Sequence, residues 1–188
     1  MPSEYHPSLL RLVKPCARGG FALCLLIAAN ESFASQRIEV QVGRSYMDHA
    51  GATTVFVDDV FSEQSIGLSR FNWSPEISAG WIDGRDLQRY KRSNYTTTDA
   101  IGLVAAGVHL SYGTRSDWYH SLFFSFQPAL HTGKTQALSS VYEFVSSFGW
   151  QSDRFSLQLR HISNGSFHQP NRGETMVLFG IRLDSWRH

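Results

Sequence analysis

The residues best suited to chemistry in this 188-residue chain are a histidine and a serine, His161 and Ser163, which lie two positions apart. The residues before them alternate between polar and apolar side chains, and the apolar ones are Phe155, Leu157 and Leu159. Alternation with period two predicts a β-strand, in which residues i and i+2 project from the same face with Cα atoms roughly 6.5–7 Å apart. The imidazole can then reach the hydroxyl and activate it as a nucleophile. The alternative is the polar end of a strand that carries no chemistry.

A turn-rich segment follows the pair and leads to a carboxylate. Residues 164–173 contain Asn-Gly, Pro-Asn and a final glycine, all of which are turn formers. Glu174 comes next, so its carboxylate can return beside His161 and orient the imidazole. The outward parity of the last strand belongs to Thr175, so Glu174 reaches the histidine only through a bulge or an irregular turn before it. Glu143 is the alternative carboxylate. Its competing role is an inward charge that pairs with an arginine.

A serine nucleophile also needs donors for the negative oxygen of its tetrahedral intermediate. The nearest candidates are the Asn171 side chain and the backbone N–H groups of the Asn164-Gly165 turn. Each such donor is worth roughly 2.7–4 kcal/mol of barrier. Asn164 is equally suited to position the acid. This chemistry requires no metal or other cofactor, and the histidines show no metal-ligand spacing, so we expect neither.

The motif around these residues resembles that of a known family. RHISNG followed by QPNRGE, with YEF and FSLQLR upstream, is similar to the signature of the lipid A 3-O-deacylases, the PagL family of outer-membrane enzymes. The likeness covers roughly residues 142–182. It implies an esterase that removes the hydroxyacyl chain from the 3-position of the glucosamine disaccharide of lipid A, with His161, Ser163 and Glu174 as catalytic residues. The residues alone indicate only a serine esterase.

The first 34 residues are predicted to be a secretory signal peptide. Three basic residues precede the apolar run FALCLLIAA, which is too short to span a bilayer, and Ser32-Phe33-Ala34 offers small residues at a cleavage site. We expect cleavage after Ala34, which leaves residues 35–188 as one domain. An N-terminal membrane anchor is the alternative.

Cleavage would remove both cysteines, Cys16 and Cys24, and with them any disulfide framework. It would also take three of the 17 basic and two of the 16 acidic residues, so that the remainder is formally neutral. A neutral chain without a basic run argues against a nucleic-acid partner.

About eight short alternating runs predict an all-β fold. They are residues 37–42, 76–81, 121–127, 138–144, 155–163 and 177–183, with a weaker run at 65–71 and an apolar stretch at 99–112. Such strands fit either a soluble barrel or sandwich, or an eight-stranded antiparallel transmembrane β-barrel with a polar lumen. Secretion without cysteines, charges on the polar parity and aromatic residues near strand ends favour the membrane barrel. Those aromatic residues are Trp73, Trp81, Trp118, Tyr119, Trp150 and Trp186.

In a membrane barrel, His161 and Ser163 would share the lipid-facing parity of Phe155, Leu157 and Leu159. A pair that faces lipid near one rim suits a substrate that is itself a lipid of that leaflet. The expected partners are therefore lipid A or lipopolysaccharide as substrate and the surrounding outer-membrane lipids. The sequence leaves the oligomeric state open, a homodimer included. The competing functions are a non-catalytic structural or adhesive barrel and a soluble lipocalin-like lipid-binding barrel.

Overall fold

The computed structural model describes residues 35–88 and 94–183, and these residues form an antiparallel β-sheet. The predicted signal peptide and Trp186 lie outside the described residues. The elements in this part of the chain are β1 Ser35–Met47, β2 Ala50–Phe61, β3 Gln64–Ser65, β4 Phe71–Ile82, β5 Ile101–Tyr112, a 3-10 helix Trp118–Ser121, β6 Leu122–His131, β7 Tyr142–Gln151, β8 Phe155–Ser163 and β9 Glu174–Arg182.

The eight long strands close into a barrel. Each pairs antiparallel with its neighbour in the chain, and the circle closes where β1 pairs with β9, for example at Val42 opposite Phe179. The two-residue β3 only extends the edge of β4, while β2 pairs directly with β4. Closure removes the exposed sheet edges that an open sheet would present. The predicted eight-stranded antiparallel barrel is confirmed.

Side chains alternate strictly between the two faces of this barrel. Along β8 and β9 every second residue is buried, and the residues between them are exposed and mostly apolar. Leu157, Leu159 and Val177, for example, are 50–53% exposed although all three are aliphatic. An apolar outer wall around a polar interior is the arrangement of a membrane barrel. A lipocalin-like barrel would instead have an apolar cavity inside, so the soluble alternative is wrong.

Paired charges and amides fill part of the lumen, and a cluster of buried apolar side chains, among them Phe56, Met176 and Leu178, occupies another part. The Arg160 side chain is fully buried and donates to Asp58 across 2.6 Å, while its guanidinium lies 4.5 Å from the ring centre of Phe56. Gln41 donates to Asp58 and to Glu39 across 2.6 and 3.0 Å. Charges of opposite sign placed this close offset the cost of removing them from water. They therefore explain why the inward parity of the strands is polar.

The two ends of the barrel differ in their connections. One end, which we call the long-loop end, has the long loops 83–100, 132–141 and 164–173 and the two-residue turn 48–49. The other, the short-turn end, has residues 62–70, which include β3, residues 113–121, which include the 3-10 helix, and the turn 152–154. The first described strand begins and the last one ends at the short-turn end. Exposed aromatic residues lie at both ends, with Trp81 at the long-loop end and Trp118 and Trp150 at the short-turn end. No helix among the described residues is long and apolar enough to cross a membrane.

Three strand assignments differ from the sequence prediction. Strand β2 was not predicted, because the adjacent Asp58 and Asp59 interrupt its alternation; Asp58 faces the lumen charges. Residues 65–71, predicted as a weak strand, form mainly the turn between β3 and β4. The run at 138–144 becomes a strand only from Tyr142, because Leu138 belongs to the preceding loop and is fully buried in the apolar core.

Candidate active site

Strand β8 presents His161 and Ser163 on the outer wall at the long-loop end. His161 is exposed and Ser163 is half-buried, while the intervening Ile162 points inward and is fully buried. The flanking Arg160 also points inward. The lumen residues thus fix the strand from inside, and the alternation of the strand then directs both candidate residues toward the lipid side, as the sequence predicted.

The imidazole of His161 is held by a threonine on the neighbouring strand. His161 lies directly opposite Thr175 in the β8–β9 pairing, and its Nδ1 atom is 2.9 Å from the Thr175 hydroxyl oxygen. A hydrogen bond at Nδ1 fixes the ring plane and leaves the Nε2 atom as the second functional nitrogen. Thr175 therefore takes the position beside His161 that a catalytic carboxylate occupies in a serine triad.

Gly173 provides the space for this ring. Its backbone has a φ of +67°, and a Cβ atom built on it would lie 2.9 Å from Cε1 and 3.3 Å from Nε2 of His161. Because Ile162 pairs with Glu174, the next position toward the long-loop end brings Gly173 beside Ser163. The Nε2 edge of the imidazole therefore points toward the long-loop end, where Ser163 lies. The described structure contains no hydrogen bond between the two side chains, and such bonds are often long until substrate binds.

The wall beside the pair is aromatic on the β7 side. Phe144 lies opposite Ser163, stacks on Phe126 with ring centres 5.7 Å apart, and contacts Phe167 edge-on at 6.2 Å. Between these rings and His161 lies Ser146, the β7 residue opposite the histidine. The pair is therefore bordered by apolar surface at the wall and by loop residues at the rim.

The carboxylate of Glu174 lies on the other side of the sheet. It is 3% exposed, receives the Arg85 guanidinium at 2.6 Å, and accepts a hydrogen bond from Ser45. Glu174 is the first residue of β9 and no bulge separates it from Thr175, so its side chain faces the lumen. The structure does not bring Glu174 to His161. The alternative carboxylate, Glu143, is likewise in the lumen, where it accepts from Ser140 across 2.9 Å.

The two candidate asparagines meet in the loop after β8. Asn164 is fully buried and donates from its side chain to the His168 carbonyl across 3.0 Å, so this amide points away from the pair. Its backbone N–H, which directly follows Ser163, donates to the Asn171 side-chain oxygen across 3.4 Å. Asn171 therefore lies close to the residue that follows the candidate nucleophile.

A family model decides which group of proteins this site belongs to. The model of the PagL family, lipid A 3-O-deacylase, matches residues 83–184, which is more than half of the chain and includes the whole site. The chain belongs to the PagL family.

The solved structure of the outer membrane enzyme PagL agrees with this barrel at the level of fold. The outer membrane enzyme PagL is 13% identical in sequence, with a TM-score of 0.54 over 78% of this chain and 98% of that one. The Yersinia pestis outer membrane protein Ail is 8% identical, with a TM-score of 0.42 over 78% of this chain and 99% of that one. No curated protein matches the sequence significantly.

Membership of the PagL family places this barrel in the bacterial outer membrane and makes it an enzyme that acts on lipid A. Outer-membrane barrels have short periplasmic turns and longer extracellular loops. The long-loop end is then the outer end, and His161 and Ser163 lie beside the outer leaflet, where lipid A resides.

Sequence reasoning missed two residues beside His161, Thr175 and Gly173, and one lumen residue, Arg85. Thr175 has the outward parity of the last strand and lies directly across from His161, so the alternation of that strand could have indicated it. Gly173 could have been found from its place opposite Ser163 in the same hairpin. Arg85 carries no local signal, since it reaches Glu174 from a loop 89 residues away.

Proposed function

We propose that this enzyme hydrolyses the 3-O-linked hydroxyacyl ester of lipid A with Ser163 as nucleophile and His161 as base. The observation that supports this most directly is that both side chains face the lipid at the outer end of the barrel. An ester at the edge of the hydrocarbon layer can meet Ser163 there, while its acyl chain lies along the apolar wall of β7 and β8.

In the first half of the reaction the Ser163 hydroxyl oxygen attacks the ester carbonyl carbon and its proton passes to Nε2 of His161. The bond to the sugar oxygen then breaks, and His161 returns the proton to that oxygen, which leaves as a free hydroxyl group. In the second half His161 takes a proton from water as the water oxygen attacks the acyl carbonyl carbon. The bond from that carbon to the Ser163 oxygen then breaks, His161 returns the proton to Ser163, and the hydroxy fatty acid is released. The Thr175 hydroxyl oxygen accepts a hydrogen bond from Nδ1–H of His161 throughout, which keeps Nε2 available as the base.

Asn171 is the donor proposed for the negative oxygen of the tetrahedral intermediate. Its side-chain oxygen accepts from the Asn164 backbone N–H, and a carboxamide carries its two donor hydrogens on the other atom, Nδ2. Loss of one such donor typically lowers kcat by about 10²–10³-fold. An Asn171→Ala enzyme that keeps wild-type kcat would remove this residue from the mechanism.

Mass spectrometry of lipid A from cells expressing the protein tests the proposed function. Wild type should remove one hydroxyacyl group, and Ser163→Ala and His161→Ala should both retain it. Ser146→Ala is the matched control, because Ser146 also faces outward beside His161 but lies on the side away from Gly173. A Ser163→Ala enzyme that remains active, or a Ser146→Ala enzyme that is inactive although folded, would contradict the assignment of the nucleophile.

A further inference from the structure

Arg44 is a basic residue on the lipid-facing wall. It occupies an outward position of β1 and is exposed. Its neighbours on that face are Val42, Tyr46 and Val177, each 47–50% exposed. Among the strand residues described here, it is the one lysine or arginine that faces outward. A charge on this face costs stability unless it lies near a headgroup layer, so its position along the barrel axis matters.

Arg44 lies at nearly the same height as His161. It shares a row of paired residues with Val177 and Leu159, and Leu159 is two residues below His161 on β8. The strands are tilted, so a row of paired residues does not close on itself. A row followed once around the barrel from β1 through β2 to β9 returns to β1 about ten residues nearer the outer end. Each row therefore comes closer to the outer end as it passes from β8 through β9 to β1. This rise compensates for the two-residue step between Leu159 and His161, so Arg44 and His161 lie at similar heights. Their Cα atoms are roughly 10–12 Å apart along the wall.

The Arg44 guanidinium extends from this height toward the outer end. A Cβ atom built on Gly51 would lie 2.8 Å from Nε and 3.1 Å from Nη2 of Arg44, so the guanidinium lies over Gly51. Gly51 is opposite Tyr46, two residues closer to the rim than Arg44 itself. Within the described ranges no carboxylate pairs with Arg44. The charge is therefore directed to the layer just above the ester-cleaving pair.

We propose that Arg44 binds a phosphate group of the substrate headgroup. This inference rests on the proposed function, since lipid A is a phosphorylated glucosamine disaccharide and phosphate lies above its ester-linked chains. A guanidinium donates two parallel hydrogen bonds to a phosphate. Held there, the sugar cannot slide along the wall, and its 3-position ester stays beside Ser163. Arg44 is thus a substrate-binding residue that favours phosphorylated over phosphate-free esters.

Purified barrels in detergent micelles provide the test, with two substrates that carry the same hydroxyacyl ester. One is bis-phosphorylated lipid A and the other is a phosphate-free acylated glucosamine. Arg44→Gln should lower kcat/KM on lipid A by about 10- to 100-fold, the size of a charge-assisted hydrogen-bonded contact. It should leave the phosphate-free ester within about twofold of wild type. Arg44→Lys should fall between the two, because lysine keeps the charge and loses the paired geometry.

Lys134→Gln is the control for general charge at the outer end, since Lys134 is exposed in the 132–141 loop. Lys134→Gln should change kcat/KM on neither lipid A nor the phosphate-free ester. Equal losses on both substrates in Arg44→Gln, or an unchanged rate on lipid A, would overturn the proposal. Failure of the proposed function is distinguishable, because a wild-type barrel would then cleave neither ester.

Discussion

At the scale of single residues, the proposed base, His161, is held by a neutral hydroxyl group. A carboxylate would both orient the imidazole and stabilise its positive charge, whereas Thr175 provides orientation alone. Gly173 adds a second constraint, because the ring lies where a side chain at that position would be. Both effects act on the position of one nitrogen atom, and each can be changed separately.

Replacing Thr175 with valine keeps the shape of the side chain and removes the acceptor for Nδ1. We expect kcat to fall about five- to tenfold, equivalent to ~1–1.4 kcal/mol for one neutral hydrogen bond. The measurement is steady-state hydrolysis of lipid A in micelles. Thr53→Val, at an exposed outward position of β2, is the control and should leave kcat unchanged. Unchanged kcat in Thr175→Val would show that another group orients the histidine.

Replacing Gly173 with alanine should reduce activity more than it reduces stability. The added methyl group would press on the imidazole, and misplacement of a catalytic group by about 1 Å can cost roughly 10²-fold in rate. The positive φ adds about 1–2 kcal/mol of backbone strain. Gly67→Ala is the control, because Gly67 also has a positive φ, +56°, but its added Cβ would meet nothing within 4 Å. If both variants lose activity equally, strain and not the contact is responsible.

At the scale of elements, the β8–β9 hairpin carries the proposed catalytic residues on its outer face and structural ion pairs on its inner face. Thr175 faces His161 while the preceding Glu174 faces Arg85 of the loop at 83–100. The hairpin therefore ties the outer loop to the strand that carries the site. One step along the chain separates the two functions, because successive residues of a strand point to opposite faces.

Glu174→Gln should destabilise the barrel while leaving the chemistry nearly intact. The change leaves the buried Arg85 without its counter-charge, which costs about 3 kcal/mol for such a pair. We expect a lower unfolding midpoint and a kcat within about threefold of wild type for the folded fraction. Loss of more than about 10³-fold in kcat with an unchanged midpoint would instead restore Glu174 as the group that orients His161.

How far the sequence predicts these elements depends on how local their cause is. The outward direction of His161 and Ser163 follows from alternation within β8, so it could be predicted. The inward direction of Glu174 follows from the same rule. The ion pair between Glu174 and Arg85 could not be predicted, since it depends on how a distant loop folds back. Strand β2 was missed because the partners that explain Asp58, namely Gln41 and Arg160, lie 17 and 102 residues away.

At the scale of the whole molecule, the barrel is held from inside by charges and from outside by lipid. Arg160 lies between Ser147 and Asp58, donating to both across 3.0 and 2.6 Å, and so connects β8 to β7 and to the opposite wall. Because these contacts hold the inward residues of β8 in the lumen, the alternating residues of the strand, His161 and Ser163 among them, face outward. The direction of the candidate pair thus depends on contacts that cross the barrel.

Arg160→Met should therefore destabilise the barrel strongly. Removing one partner of a buried ion pair costs about 3–5 kcal/mol, because Asp58 would remain as a buried charge. Urea unfolding of the refolded protein in lipid vesicles measures this. Arg172→Met is the matched control, since Arg172 pairs with Asp48 at 2.7 Å but both side chains are 30–44% exposed, and it should cost less than about 1 kcal/mol. Similar losses in the two variants would contradict the role of burial.

The pairing of β1 with β9 has a consequence for when the enzyme can work. Among the described residues β1 is the first strand and β9, which carries Thr175, is the last. Until these two strands pair, the barrel stays open, and neither Arg44 nor Thr175 has its neighbour across this seam. We therefore expect deacylation to begin only after the barrel has closed.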